Sequence, residues 1–563
     1  MLRTFATHHV RNQMQLSDSL WEFEPCSGEF AGQKFQLMVP GCWESHPLFA
    51  DYRGEGIYRK RFEAQGNIRV ECKGVSHTAT LYLDGTEIGR HYNAYTPFSV
   101  LVMNLEPGEH TLEIKADNRF HENSALHVPN DYMSYGGISR GVIVETLNDY
   151  YLEYVHVKPY IQDGEWHAHI KAAVHALNCN LKGNHDLVVQ GKLGENTFQW
   201  DLCMEEGQSG QEICTDLRMK NVEIWSPETP YLYEVELKLF QENQIVDDII
   251  DRVGFREIQI SEKAIMLNGK HLRIKGVCRH EDHPDYGCAL PYQTIYHDLV
   301  MIRQMGANSI RTSHYPNDEI FLDLCDEFGI LVWEENHARG LEEDRMRHPL
   351  FEIQAEEVIR EMISAHYNHP SIFVWGILNE CASESIYGRE CYEKQFQLIR
   401  ELDESRPCTF ASCKFFHDIC LDLPDIVSCN LYPRWYVDKP VREYIEEVTQ
   451  WIAEDGRGTG KPFIVSEIGA GALYGCHNAY HGKWTEEYQA EAIREQISEC
   501  LEFPDCAGVY IWQFCDVRVS REWFSGRPRE MNNKGIVDEY RRPKEAYWAA
   551  KEIFERYSNY YNS

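Results

Sequence analysis

From Arg273 onward the chain repeats one pattern: a short apolar, β-prone run, then a stretch with helical periodicity. Parallel strands buried on both faces read as unbroken hydrophobic runs, and each needs a crossover helix before the next. Eight such runs can be counted, at Arg273–His280, Ser309–His314, Ile330–Glu335, Ile372–Glu380, Cys408–Cys413, Ile426–Tyr432, Phe463–Gly469 and Gly508–Phe514. Helical patterns include Tyr296–Met305, Ile320–Phe328, Glu352–His366, Glu487–Leu501 and Pro543–Tyr557, where Pro543 suits a first helical turn. Eight strands in this alternation predict a (β/α)8 TIM barrel over residues 259–563.

Upstream the rhythm is different. Residues 1–150 read as short alternating strands with turn chemistry between them, such as Asp84-Gly85 between alternating flanks, a hairpin signal. Residues 151–258 form a second β stretch, in which Glu234–Phe240 alternates clearly, and an immunoglobulin-like β-sandwich is expected there. The fold class is therefore multidomain, β followed by α/β.

A TIM barrel places its chemistry at the carboxyl ends of its strands. Two acids stand at such places, Glu380 closing Ser371–Glu380 and Glu467 within Pro462–Gly469, each read as the last residue of a buried strand. One glutamate at a strand end is more often a solvated or ion-paired residue, so the argument rests on there being two. Two carboxylates delivered to one mouth suit cleavage of a glycosidic bond, where one holds a proton and the other stays charged.

Composition narrows the partners. With 55 Lys+Arg against 89 Asp+Glu the net charge is -34, which repels phosphate backbones and anionic lipid, so neither nucleic acid nor membrane is expected as a partner. The opening Met1–Val10 carries no apolar leader run, and no stretch has the length of a membrane span, so a cytoplasmic enzyme is expected. The 19 cysteines, an odd number without paired spacing, fit reduced thiols; Cys413, Cys420 and Cys429 lack zinc spacing. An anionic substrate would need a local cation to overcome the global field.

The segment Asn308-Ser-Ile-Arg311-Thr-Ser-His314-Tyr315-Pro316, continuing to Gly329 and Trp333, and the segment Asn368-His369-Pro370-Ser371 through Asn379-Glu380 resemble the signatures of glycoside hydrolase family 2. Gly276–Glu281 resembles its first-strand motif, and Gly56–Arg59 and Tyr135–Arg140 resemble motifs of its N-terminal jelly-roll sugar-binding domain. The resemblance covers nearly the whole chain. It implies a retaining mechanism with Glu380 as general acid/base and Glu467 as nucleophile, Asn379 donating to the sugar 2-hydroxyl, and His280, His314, Trp333, Tyr432 and Trp512 about the pocket. It implies no cofactor, and a homo-oligomer, dimer or tetramer, as family members often form.

Within the family, Asn532-Asn533-Lys534 resembles the Asn-x-Lys motif of β-glucuronidases, whose amide and ammonium reach the C6 carboxylate of a uronic acid. An ammonium in a dry pocket discriminates strongly between a uronide and a neutral hexoside. Asp131 and Tyr436 resemble further glucuronidase residues. The substrate class implied is a β-D-hexuronide, glucuronide first, with galacturonide, neutral β-galactoside and a non-catalytic carbohydrate-binding protein as alternatives. Arg339 and Arg434 are extra candidates for reaching a hydroxyl and leave the C4 stereocentre open. Ile468, Cys278 and Cys381 depart from the glucuronidase pattern and are expected near the sugar rim. The short stretch from Asn336 to Phe351 predicts an open aglycone side with modest leaving-group specificity.

Overall fold

The computed structural model describes residues 3–177, 183, 185–523 and 527–561. Eight parallel strands close into a barrel: β1 (Ile274–Cys278), β2 (Ser309–Arg311), β3 (Leu331–Glu335), β4 (Ile372–Ile377), β5 (Cys408–Ser412), β6 (Ile426–Asn430), β7 (Phe463–Ile468) and β8 (Cys506–Ile511), with β8 paired back to β1. Every residue of all eight is buried, which is why their sequences read as continuous runs rather than as alternations. Helices outside the strands follow local signals. In Glu319–Phe328, Asp318 accepts from the Ile320 amide at 2.9 Å, and Gly329 at φ 68° ends the helix where a Cβ would fall 2.4 Å from the Pro227 carbonyl.

The differences from expectation lie at element ends. β4 stops at Ile377, so Glu380 stands three residues beyond the strand; His280, His314 and Tyr432 likewise follow the last ladder residue of their strands. The chain leaves the sheet there to turn across the barrel mouth. The final helix runs Glu545–Phe554, with Lys544 rather than Pro543 before its first residue. The Lys544 ammonium is drawn inward to Asp516 at 2.8 Å and the Ala472 carbonyl at 2.7 Å, and this anchor sets where the helix begins.

Residues 12–147 form an eight-stranded antiparallel sheet and a smaller three-stranded one around a core that includes Trp21, Phe23, Trp43 and Tyr58. Thr78–Leu83 and Thr86–Tyr92 are joined at Asp84-Gly85, both with positive φ, as the two-residue hairpin requires. Further on, a three-stranded sheet (Tyr150–Gln162, Glu165–Ala176, Gly210–Arg218) and a four-stranded one (His185–Leu193, Asn196–Met204, Tyr233–Gln241, Gln244–Val253) enclose Leu152, Ile170, Val189 and Leu237, an immunoglobulin-like arrangement. Among the described residues no helix is long and apolar enough to cross a membrane.

The segment 130–140 of the N-terminal β region is bound onto the barrel. Arg140 reaches Glu281 at 2.9 Å and the Pro316 carbonyl at 2.7 Å, Tyr135 donates to Asp282 at 2.7 Å, and the Tyr132 hydroxyl lies 3.2 Å from His337. These contacts hold Asp131 over the strand ends.

Candidate active site

Glu467 on β7 and Glu380 after β4 face one pocket of about 260 Å³ at the carboxyl ends of the barrel strands. Glu467 is held by two donors: Arg311 on β2 reaches one oxygen at 3.0 Å and the Tyr432 hydroxyl the other at 2.7 Å. Arg311 in turn makes a bidentate pair with Glu335 at 2.9 and 3.1 Å and donates to the Asn379 side-chain carbonyl at 2.8 Å. The guanidinium thus fixes three side chains from different strands in one plane of contacts. Burial and then the nearby Glu380 charge push Glu467 up to about 7, against the pull of Arg311 and Tyr432.

Glu380 accepts from the Asn430 amide at 2.9 Å, and the Arg339 guanidinium lies 3.4 Å from its other oxygen. Its backbone and that of Leu378 adopt positive φ, 54° and 46°, a conformation costly for non-glycine residues. The Glu380 amide donates to the Ala411 carbonyl at 2.9 Å, and Tyr392 donates to the Leu378 carbonyl at 3.0 Å; these bonds hold the unusual turn. With its carbonyl committed to Arg311 and Asn430, Asn379 has a buried side-chain NH₂ with no partner. A buried donor left open costs free energy unless a ligand completes it.

On the other side of the pocket stands Lys534, 2% exposed. Among the described residues no carboxylate lies within ion-pair distance of its ammonium, which instead sits 5.2 Å from the Tyr436 ring and 5.9 Å from that of Tyr432. Burial would raise the Tyr436 phenol, but the Lys534 charge outweighs it and the phenol is lowered. Asn532 donates to Asp131 at 3.0 Å, and Arg527 pairs with the same oxygen at 2.5 Å. The second Asp131 oxygen is buried without a partner. Burial raises the Asp131 carboxyl, opposed by Arg527, Lys534 and Arg339.

Trp512 lines the pocket and stacks on His314 at 5.0 Å and 17°. His314 bonds Glu335 at 2.7 Å, and His280 bonds the Tyr315 hydroxyl at 3.2 Å; burial lowers both imidazoles, so both are neutral. Neither histidine reaches the pocket surface; they pack beneath Trp512. Trp333 lies under the Arg311 guanidinium at 4.7 Å. Arg339 stands in the pocket, with a second bond to Asn130 at 2.8 Å. Arg434 does not: at φ 65° its backbone turns the guanidinium outward to Glu495 at 2.6 Å and over the Tyr488 ring. Ile468, Cys278 and Cys381 are also not at the rim. All three are fully buried in hydrophobic clusters, and the Cys278 thiol packs behind the site against the Ser466 carbonyl.

Arg311 and Asn430 were not singled out as site residues from the sequence, although Arg311 lies inside the Asn308–Pro316 motif. Replacing Arg311 with methionine leaves Glu335 and Glu467 as uncompensated buried carboxylates, and the expected loss of stability is about 3–5 kcal/mol. Chemical denaturation measures it; an unchanged midpoint would contradict the assigned role.

Among the described residues, three His/Asp/Glu groups have ligand atoms close enough to surround an ion: His8-Asp247-Asp248, Asp323-Asp326-His369 and His477-Glu487-Glu545. None lines the pocket, and Asp247 and Asp323 are already paired with Arg11 and Arg3.

Comparison with known proteins matches the sequence pattern described as "Glycosyl hydrolases family 2, TIM barrel domain" to residues 258–559, and "Glycosyl hydrolases family 2" to residues 150–256. A crystal structure of a family 2 β-galacturonidase from Eisenbergiella tayi, bound to galacturonate, is 54% identical with a TM-score of 0.97, covering 100% of both chains. The β-glucuronidase of Streptococcus agalactiae is 26% identical over 560 residues, 91% of this chain and 90% of its own. A β-galactosidase of Thermoanaerobacter pseudethanolicus is 30% identical over 371 residues, 63% of this chain and 48% of its own.

Proposed function

The chain belongs to glycoside hydrolase family 2 and is a glycoside hydrolase, and from that premise we propose that it is a retaining, exo-acting β-hexuronidase with β-D-galacturonides as its preferred substrates. The observation that carries the hexuronide assignment is Lys534, an ammonium buried in the pocket that holds the acid pair and without a carboxylate partner among the described residues. The sugar's C6 carboxylate supplies the missing anion. The sequence put glucuronide first; identity of 54% along the full length of a galacturonidase, against 26% for the glucuronidase, supports placing galacturonide ahead. The matched segments also support units at 151–258 and 259–563, which leaves 1–150 as the third.

In the proposed reaction Glu467 attacks the anomeric carbon as the bond to the leaving oxygen breaks, and Glu380 gives that oxygen its proton. Water then attacks the glycosyl-enzyme, returns a proton to Glu380 and frees the Glu467 carboxylate with release of hexuronic acid. Arg311 and Tyr432 hold Glu467 in line for attack. The open Asn379 amide meets the 2-hydroxyl, where a hydrogen bond strengthens as charge develops. The free Asp131 oxygen and Arg339 serve the remaining hydroxyls.

Hydrolysis of 4-nitrophenyl β-D-galacturonide, glucuronide, galactoside and mannoside, run side by side, tests the assignment. Galacturonide is expected to be fastest and both neutral sugars slow; a galactoside preference would overturn it. The pH profile gives a second check. Since burial and the Glu380 charge raise Glu467 to about 7, its attacking carboxylate form is lost as pH falls through that value, and kcat/KM falls on the acidic side. In Glu380→Gln, assayed with a good leaving group, the like charge is gone, so Glu467 ionises at lower pH and the acidic limb moves down. An acidic limb left in place would contradict the coupling of the two groups.

A further inference from the structure

The pocket has two chemically different sides. Besides the ionic groups Lys534, Asp131 and Arg339, the wall includes Cys413, Phe415, Val437 and Tyr444, none of them a charged group at neutral pH. Cys413 and Phe415 follow β5, Val437 follows β6, and Tyr444 lies in the first turn of the helix Val441–Glu454. The Phe415 ring meets Tyr444 edge-on at 6.0 Å and 80°, and meets Phe416 at 6.0 Å and 89°; Phe416 meets Trp451 at 5.6 Å. Phe416 is 41% exposed, so an aromatic ledge runs from the pocket to solvent. The cations nearest this wall are already engaged: Lys414 lies between Glu342 at 2.8 Å and Glu384 at 3.3 Å, Lys439, 5.8 Å from the Tyr444 ring centre, pairs with Glu447, and Arg339 lies between Glu380 and Asn130.

The wall stands beside the proton donor. The Glu380 amide is bonded to the Ala411 carbonyl of β5, two residues before Cys413, and Glu380 is the charged group felt most by the Cys413 thiol. Since Glu380 protonates the departing oxygen, the leaving group occupies this side. We infer that the leaving-group site takes a neutral aglycone with an apolar face, an aryl ring or an uncharged sugar against Phe415 and Tyr444, and rejects a second uronate. The enzyme then removes a terminal hexuronic acid from a neutral carrier and does not shorten a polyuronate. A carboxylate placed there would face Glu380, Glu342 and Glu384 without an unengaged cation, inside the field of a chain of net charge -34. An uncharged ring gains contact area with the aromatic faces instead.

This inference rests on the hexuronidase assignment, and the test separates the two. Four substrates share the hexuronic acid: the glycosyl fluoride, the phenyl glycoside, a disaccharide with a neutral second sugar, and one with a second uronate. The neutral disaccharide is expected to exceed the uronosyl-uronate in kcat/KM by on the order of 30-fold. Phe415→Ala should lower kcat/KM for the phenyl glycoside and neutral disaccharide about 10-fold more than for the fluoride, mainly through KM, because fluoride touches little of the wall. Phe415→Lys should raise the rate on the uronosyl-uronate. Fluoride turnover also reports that each variant is folded. Equal rates on the two disaccharides, or an equal Phe415→Ala loss on the fluoride, would overturn the inference. Failure of the wild-type protein to cleave the hexuronosyl fluoride overturns the hexuronidase assignment itself, and this inference with it.

Discussion

Glu467→Gln is expected to lower kcat/KM on hexuronides by about 10⁴-fold or more, since the variant has no carboxylate to form the covalent intermediate. The fold should survive the change. The glutamine carbonyl can still accept from Arg311 and its NH₂ can donate to the Tyr432 hydroxyl oxygen, the two groups that contact the native carboxylate at 3.0 and 2.7 Å, and one of two mutually repelling acids is gone. In Glu467→Ala a small anion such as azide can enter the vacated space and attack directly, giving a glycosyl azide of inverted configuration. Steady-state rates, product configuration and thermal unfolding together decide the matter. Substantial hydrolysis by Glu467→Gln would remove it from the role of nucleophile.

Lys534→Met should separate uronides from neutral sugars. A charge-assisted bond lost from a buried site is worth about 3–4 kcal/mol here, so kcat/KM on galacturonide and glucuronide is expected to fall roughly 10²–10³-fold, with a far smaller effect on galactoside. The same substitution should raise stability by on the order of 1 kcal/mol, because it removes a 2% exposed cation that has no carboxylate partner among the described residues. Weaker catalysis with a higher unfolding temperature is the signature of a group kept for its ligand. An equal loss on all four nitrophenyl sugars would show instead that Lys534 supports the pocket's shape.

The barrel could be read from the sequence because each of its strands is buried on both faces, which leaves an unbroken apolar run whatever the surrounding loops do. The points where strands end could not. Glu380 lies three residues past β4 because the chain turns through two left-handed residues that its bonds to Ala411 and Tyr392 hold in place, and no local pattern announces such a turn. The role of Arg311 is hidden in the sequence for a related reason. Its importance comes from reaching Glu335 on the next strand and Glu467 on β7, a connection that exists only once the barrel closes. Arg434 is the reverse case: it lies two residues from both Tyr432 and Tyr436, but its own positive φ sends its side chain to Glu495. Departures at Ile468, Cys278 and Cys381 looked like changes to the sugar rim, whereas these positions repack the barrel behind it.

Asp131 comes from the N-terminal β region, yet bonds Asn532 and Arg527 beside Lys534. The proposed acid pair and one of the groups proposed to read the sugar are therefore encoded in separate stretches of the gene. A hybrid carrying this barrel behind another relative's amino-terminal half would keep its acid pair while inheriting a foreign partner for Asn532. Recombination of that kind offers a route by which one scaffold could exchange carbohydrate preference without rebuilding its catalytic centre.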